Sequence, residues 1–195
     1  EPLSVALHAV IRSGVCLGDC VLVVGTGVIG LLIVQVLKTV GARKIFAVDV
    51  DSNRLVLAEK LGADVCLNAQ QEDVRSVILG ETDSRGVDHA FEAVGNEAGF
   101  GCAVASVRKG GTVTMVGNIS PQVVLPLQHA VTRELSLLGS CASAGEYPRC
   151  LGLIASKAVS VSPLISAVAK LEEGPVWFDL LYKRSGALLK VLLTP

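Results

Sequence analysis

The sequence predicts an open, doubly wound parallel sheet with helices on both faces, an α/β fold. Short β-branched runs alternate with helical runs between residues 20 and 138. The strands are continuously apolar rather than alternating, as strands covered on both faces must be. No repeat of 20–50 residues and no low-complexity stretch interrupts this alternation.

Cys20–Val24 (CVLVV) reads as the first strand and Val28–Val40 as the helix after it. Lys44–Asp49 is the second strand, followed by a helix over Ser52–Leu61 with Ser52 as its N-cap. Residues 65–67 form a short strand. Residues 71–79 read as helical and run into a polar turn at 81–86. Residues 87–91 are a strand, 97–107 a helix, and 112–116 a strand after a Gly110-Gly111 turn. A short helix is expected over 128–133 and a sixth strand over 135–138. In the tail, 147–157 and 171–183 read as helices, and 163–168 and 188–193 as strands. Those last two strands need a partner sheet, expected in residues ahead of Glu1.

Composition narrows the function classes. With 195 residues, 51% hydrophobic and 18% charged, the chain is too apolar for disorder and long enough for one domain and part of another. Lys+Arg 17 against Asp+Glu 18 gives a net charge of −1, which argues against nucleic-acid binding. Val21 to Leu37 carries no charge, nearly a membrane-span length. Gly25, Gly27 and Gly30 break it, so a buried strand and helix explain it, and no membrane partner is expected. Cys16, Cys20, Cys66, Cys102, Cys141 and Cys150 show no CxxC pair. They are expected to be buried free thiols in a reducing cytoplasm. His8 reads as a core histidine on an apolar helix, His89 as a core or edge residue of a strand, and His129 as a surface residue.

The motif that carries chemistry is Gly25-Thr26-Gly27-Val28-Ile29-Gly30. It lies between a strand and a helix, and Asp49 ends the next strand 19 residues after Gly30. Gly25 permits a tight turn, Gly27 lets the backbone approach a pyrophosphate, and Gly30 lets the helix pack on the strand. The helix N-terminus offers free N–H groups to phosphates. Asp49 is placed to accept hydrogen bonds from the adenosine ribose and to repel a 2′-phosphate, which favours NAD over NADP. Arg54 stands near enough to contact the ribose edge. A glycine turn with no ligand, or an S-adenosylmethionine site, are the competing readings of the same residues.

EPLSVALHAV, GDCVLVVGTGVIGLL, VDVDSNRLVLAEKLGAD and the closing PLIS and LLKVLLTP together resemble the zinc-containing medium-chain dehydrogenase/reductase family, in its polyol (sorbitol-like), threonine and alcohol dehydrogenase branch. The resemblance runs from Glu1 to Pro195. It implies a Rossmann-type cofactor domain inserted in a GroES-like catalytic domain that is largely absent from this chain. By that reading, residues 1–14 end the first catalytic segment, 15–140 are the dinucleotide-binding domain, and 141–195 return to the catalytic domain. The family's catalytic Cys and His, and its structural zinc cysteines, would precede Glu1. Glu1 itself is implied as a metal-site residue.

The resemblance also implies cofactor contacts by position. Val5 and Ile29 would line the nicotinamide pocket. Val94 and Gly95 would lie beside the adenosine half. Val116, Gly117 and Asn118 would meet the nicotinamide amide, with Ser140 and Cys141 nearby. Lys190 would contact the pyrophosphate. Gly139-Ser140-Cys141-Ala142-Ser143 departs from the Arg-Tyr pair that sorbitol-type members carry in this loop, which puts sorbitol itself in doubt as substrate. The resulting expectation is NAD- and zinc-dependent oxidation of a secondary alcohol, with a homodimer or homotetramer formed through the edge strand at 135–138. The alternatives are a zinc-free quinone or enoyl reductase and a non-catalytic NAD-binding module.

Overall fold

The structure is a computed structural model that describes residues 1–183 and 188–195. β1 (Cys20–Val24), β2 (Lys44–Asp49), β3 (Val65–Asn68), β4 (Val87–Glu92), β5 (Val107–Met115) and β6 (Ser136–Gly139) form a parallel sheet in the order β3-β2-β1-β4-β5-β6. β1 pairs with β2 on one side and β4 on the other, so the order reverses beside it.

β1 is buried along its whole length. Val21 and Val23 enter one apolar cluster, and Cys20, Leu22 and Val24 enter the other. The period-two alternation of a strand thus serves two cores at once. The first core is closed by α1 (Pro2–Ser13) and α2 (Val28–Val40), through Leu3, Ala6 and Val10 of one and Leu31, Leu32 and Val34 of the other. The second is closed by α4 (Val74–Gly80) and α5 (Glu97–Ser106), through Ile78, Phe100 and Val104. The uncharged run from Val21 to Leu37 is therefore a core strand and a core helix. No described helix is long and apolar enough to cross a membrane.

Several expected boundaries move, each for a local reason. In α3 (Ser52–Leu61) the N-cap is Asp51, whose carboxylate accepts from the Asn53 N–H at 2.9 Å, while the Ser52 hydroxyl accepts from Asn68 Nδ2. α4 starts at Val74 rather than 71, because the Gln71 and Glu72 N–H groups both donate to the Asn68 carbonyl and Asp73 caps the helix instead. β5 begins at Val107 and carries a bulge. Val87 pairs with Val107 and His89 with Thr112, so Arg108–Gly111 are set against a single residue of β4. Cys16 and Cys141 are exposed, against the expectation that all six thiols are buried. His129 is half-buried and its Nε2 is enclosed without a partner, against an expected surface position.

In the tail, α7 (Tyr147–Ala155) packs near α1, and a short 3-10 turn (Ser162–Leu164) leads to β7 (Ile165–Lys170). A second 3-10 turn (Leu171–Glu173), α8 (Gly174–Tyr182) and β8 (Lys190–Thr194) follow. β7 and β8 pair in parallel with each other, so they do find a partner strand within the chain. Val168, Val176, Phe178 and Tyr182 remain exposed on this unit.

At the amino edge of the sheet Asp88 is buried under two arginines. It accepts from Arg108 Nε at 2.7 Å, Arg85 Nη2 at 2.5 Å and the Cys20 N–H at 2.9 Å. Burial alone would raise this carboxyl, but the bonds from Arg108, Arg85 and Cys20 overrule it and hold it down to about 2. The native value lies below the unfolded one, so the stability is present above about pH 4 and lost as pH falls toward 2. The linkage is worth about 2 kcal/mol. Urea unfolding of Asp88→Asn should show a shallower loss of stability between pH 5 and 2 than the parent, by about that amount. Parallel acid limbs in the two proteins would mean that Asp88 does not stabilise the fold.

Candidate functional site

The carboxyl ends of the parallel strands share one edge, and the loops leaving β1, β2, β4, β5 and β6 meet there. The ladder hydrogen bonds continue past the strands. Gly25 N–H donates to the Val48 carbonyl, Ala93 N–H to Val24, Val116 N–H to Glu92, and Ser140 N–H to Met115. These bonds fix the relative positions of residues far apart in sequence.

The glycine turn shows three different reasons for glycine. Gly25 has φ +93°, and a Cβ on it would lie 2.6 Å from Val94 Cγ2. A Cβ on Gly30 would sit 1.8 Å from the Gly25 carbonyl oxygen, so α2 rests on the turn backbone to backbone. Gly27 has φ −70°, and a Cβ there would meet nothing within 4 Å. Neither conformation nor protein packing asks for glycine at 27. The space it leaves lies at the N-terminus of α2, where the first N–H groups lack helical partners. Val28 and Ile29, half-buried, pack back against the core.

Asp49 lies beside this turn. Its Oδ2 accepts from the Thr26 N–H at 2.7 Å and from Thr26 Oγ1 at 2.9 Å, and its Oδ1 accepts from the N–H groups of Val50 and Asp51. Thr26 is fully buried and Asp49 half-buried, so the carboxylate is held still and open to solvent on one side. Arg54 turns to Asp51, at 3.7 Å, rather than to Asp49.

The loops after β4 and β5 touch through backbone alone. A Cβ on Gly95 would lie 2.3 Å from the Asn118 nitrogen, and one on Gly117 would lie 2.1 Å from the Gly95 nitrogen. Glu92, an acid in an apolar strand, organises both. Its Oε1 accepts from the Val94 and Gly95 N–H groups at 2.9 and 2.8 Å, and its carbonyl takes Val116 and Gly117. Burial pushes the Glu92 carboxyl up, while the Gly95 and Val94 N–H groups pull it back. Sequence reading passed over Glu92; its charge inside VDHAFEA was the available signal. A pocket of about 130 Å³ opens here, lined in part by Glu92, Asn96, Phe100 and Gln122. At the end of β6 the Ser140 hydroxyl is buried without a partner, and Cys141 is exposed.

A further brace was invisible in sequence. His8 Nδ1 of α1 lies 2.8 Å from Glu146 Oε1, ahead of α7, and Arg12 Nε donates to the Gly139 carbonyl. α1 thereby ties down the loop that carries Ser140 and Cys141.

Three further candidates, Lys190, Val5 and Glu1, lie on the tail sheet, on α1 and at its head. Lys190 is exposed at the start of β8 and pairs with Ile165 on the two-stranded sheet. Val5 is half-buried on α1. Glu1 is exposed at the head of α1, where its carbonyl accepts from the Ser4 hydroxyl and N–H. Among the described residues no group of three or more His, Cys, Asp or Glu side chains is arranged to hold a metal ion, so the residues present do not by themselves fit a zinc site.

Comparisons with known proteins agree with the fold. A family model described as zinc-binding dehydrogenase matches residues 28–156. Human sorbitol dehydrogenase is 34% identical over 195 residues, covering 99% of this chain and 54% of that protein. The alcohol dehydrogenase TADH from Thermus sp. ATN1 superposes with a TM-score of 0.91 at 34% identity, covering 100% of this chain and 56% of that one. A solved chain from Sinorhizobium meliloti 1021, bound to NADP, gives 0.91 at 30% identity, with 100% and 58% coverage. The chain spans about half the length of the curated relatives it matches.

The three glycines separate by experiment. Gly30→Ala drives a methyl into a backbone oxygen and should cost about 3 kcal/mol or more in urea unfolding. Gly27→Ala enters open space and should cost under about 1 kcal/mol. Equal losses would refute the packing assigned to this turn.

Proposed function

The chain belongs to the zinc-binding dehydrogenase family, and from that premise we propose that it forms the cofactor-holding part of a zinc- and NAD-dependent oxidation of a secondary alcohol, a polyol or related hydroxy compound, to a ketone. Gly27 carries the reading: a residue kept bare for something outside the protein, at the head of a 13-residue helix.

The free N–H groups of α2 would hold the pyrophosphate, helped by the positive end of the helix dipole. Asp49, already oriented by Thr26, would accept the ribose hydroxyls on its open side and oppose a 2′-phosphate by its charge. The backbone of Val116, Gly117 and Asn118 and the unpaired Ser140 hydroxyl stand on the same edge and would orient the nicotinamide amide. Val94 and Gly95 would flank the adenosine. A bound nicotinamide supplies the hydride acceptor. Lys190 at the pyrophosphate and Glu1 near a metal complete the reading that the family resemblance implies. The described residues hold no metal cluster, so zinc dependence rests on the family.

Among the described residues β6 has β5 as its single sheet neighbour, which supports pairing of two copies along that edge. Six unpaired cysteines support a cytoplasmic setting.

Two experiments test this. Calorimetric titration should show NAD binding more tightly than NADP, and Asp49→Asn should narrow that ratio about tenfold or more. Equal affinities in the parent would remove the NAD preference, and no binding of either would sink the dinucleotide reading. Native mass spectrometry of the natural protein carrying this chain should give about one zinc per subunit, or two with a structural site, in an assembly of two or four copies. Active protein without zinc would favour a quinone or enoyl reductase. Zinc-free, inactive protein that binds NAD would favour a binding module, and a monomer would refute the edge pairing.

A further inference from the structure

The amino edge of the sheet, opposite the glycine turn, holds a cleft of about 380 Å³ lined by Ser84, Arg85, Arg108, Lys109 and Arg133. Its wall carries four cations and no carboxylate. The one anion in contact is Asp88, buried beneath and already bonded to Arg85 and Arg108. An excess of three positive charges therefore converges on one space. Asp83 and Glu134 are exposed nearby and do not line it.

The three arginines are positioned rather than loose. Arg108 donates from Nε to Asp88 and from Nη1 to the Lys109 carbonyl, and Arg133 Nη2 donates to the Val107 carbonyl at 2.9 Å. The Arg133 Nε–H is buried and has no partner. A buried charged donor left unpaired is costly, and Arg133 still lines the cleft. The backbone is shaped around the same space. The β5 bulge takes Arg108 and Lys109 out of the ladder, and Ser84 and Glu134 hold φ values of +59° and +53° on either side. Such non-glycine conformations persist where the surroundings enforce them.

We infer that this cleft is an anion site for a phosphate group, either free inorganic phosphate or the phosphoryl end of a small metabolite. Guanidinium forks match phosphate oxygens in pairs, and three arginines with a lysine supply more donors than one buried carboxylate can use. The site lies at the other end of the strands from Gly27, and it stands independently of any dinucleotide reading.

The test titrates inorganic phosphate and, separately, glycerol phosphate into the natural protein carrying this chain, at constant ionic strength, read by phosphorus NMR line broadening and calorimetry. Saturable binding is expected. Lys109→Glu, at an exposed side chain, should weaken it about tenfold or more with an unchanged melting temperature. Arg133→Lys keeps the charge but removes the planar guanidinium fork, and should also weaken it. Tighter binding of glycerol phosphate supports a metabolite as the source, and equal or weaker binding supports free phosphate. Absence of saturable binding overturns the site. So does binding that Lys109→Glu leaves intact, since that would place phosphate at the glycine turn.

Discussion

The structure depends on backbone meeting backbone at the carboxyl edge of the sheet. Gly30 lets α2 rest on the Gly25 carbonyl, and Gly95 and Gly117 let the loops after β4 and β5 close on each other. No side chain fits at any of these contacts. Because they are rigid, the space left at Gly27 has a defined shape, and the helix end, Asp49 and the β5 loop all face a common edge. A site built this way is held by packing rather than by flexible side chains.

Electrostatics then divides the sheet into two unlike ends. At the carboxyl edge two acids, Asp49 and Glu92, are held by backbone N–H groups and Thr26 rather than by cations. Asp49 keeps one side open to solvent, whereas Glu92 is buried and serves to hold the loops after β4 and β5. At the amino edge Asp88 is neutralised by two arginines, and further cations crowd around it. The β5 bulge makes this second end possible, since a regular ladder would point Arg108 and Lys109 along the sheet faces.

α1 and the tail connect these ends to the rest of the chain. α1 packs along α2 and reaches Gly139 and Glu146 through Arg12 and His8. The loop after β6 is thus set by a helix that precedes the sheet in sequence. The β7–β8 pair is only two strands, a size that is marginal alone, and it leaves Val168 and Phe178 uncovered.

The sequence by itself determined the fold class, the six parallel strands and the limits of β1, α2, β2 and α3. Each depends on local periodicity and on glycine placement that no neighbour overrides. The glycine turn and Asp49 were legible for the same reason, since one βαβ unit holds them within 25 residues. Tertiary structure decided the rest. Helix α4 begins late because Asn68 captures two N–H groups, and β5 begins early because Val87 finds Val107. His8 and Glu146 stand 138 residues apart, and β7 chose β8 as partner across an intervening helix. Such pairings depend on which surfaces the folded chain brings together, and no spacing in the sequence encodes them.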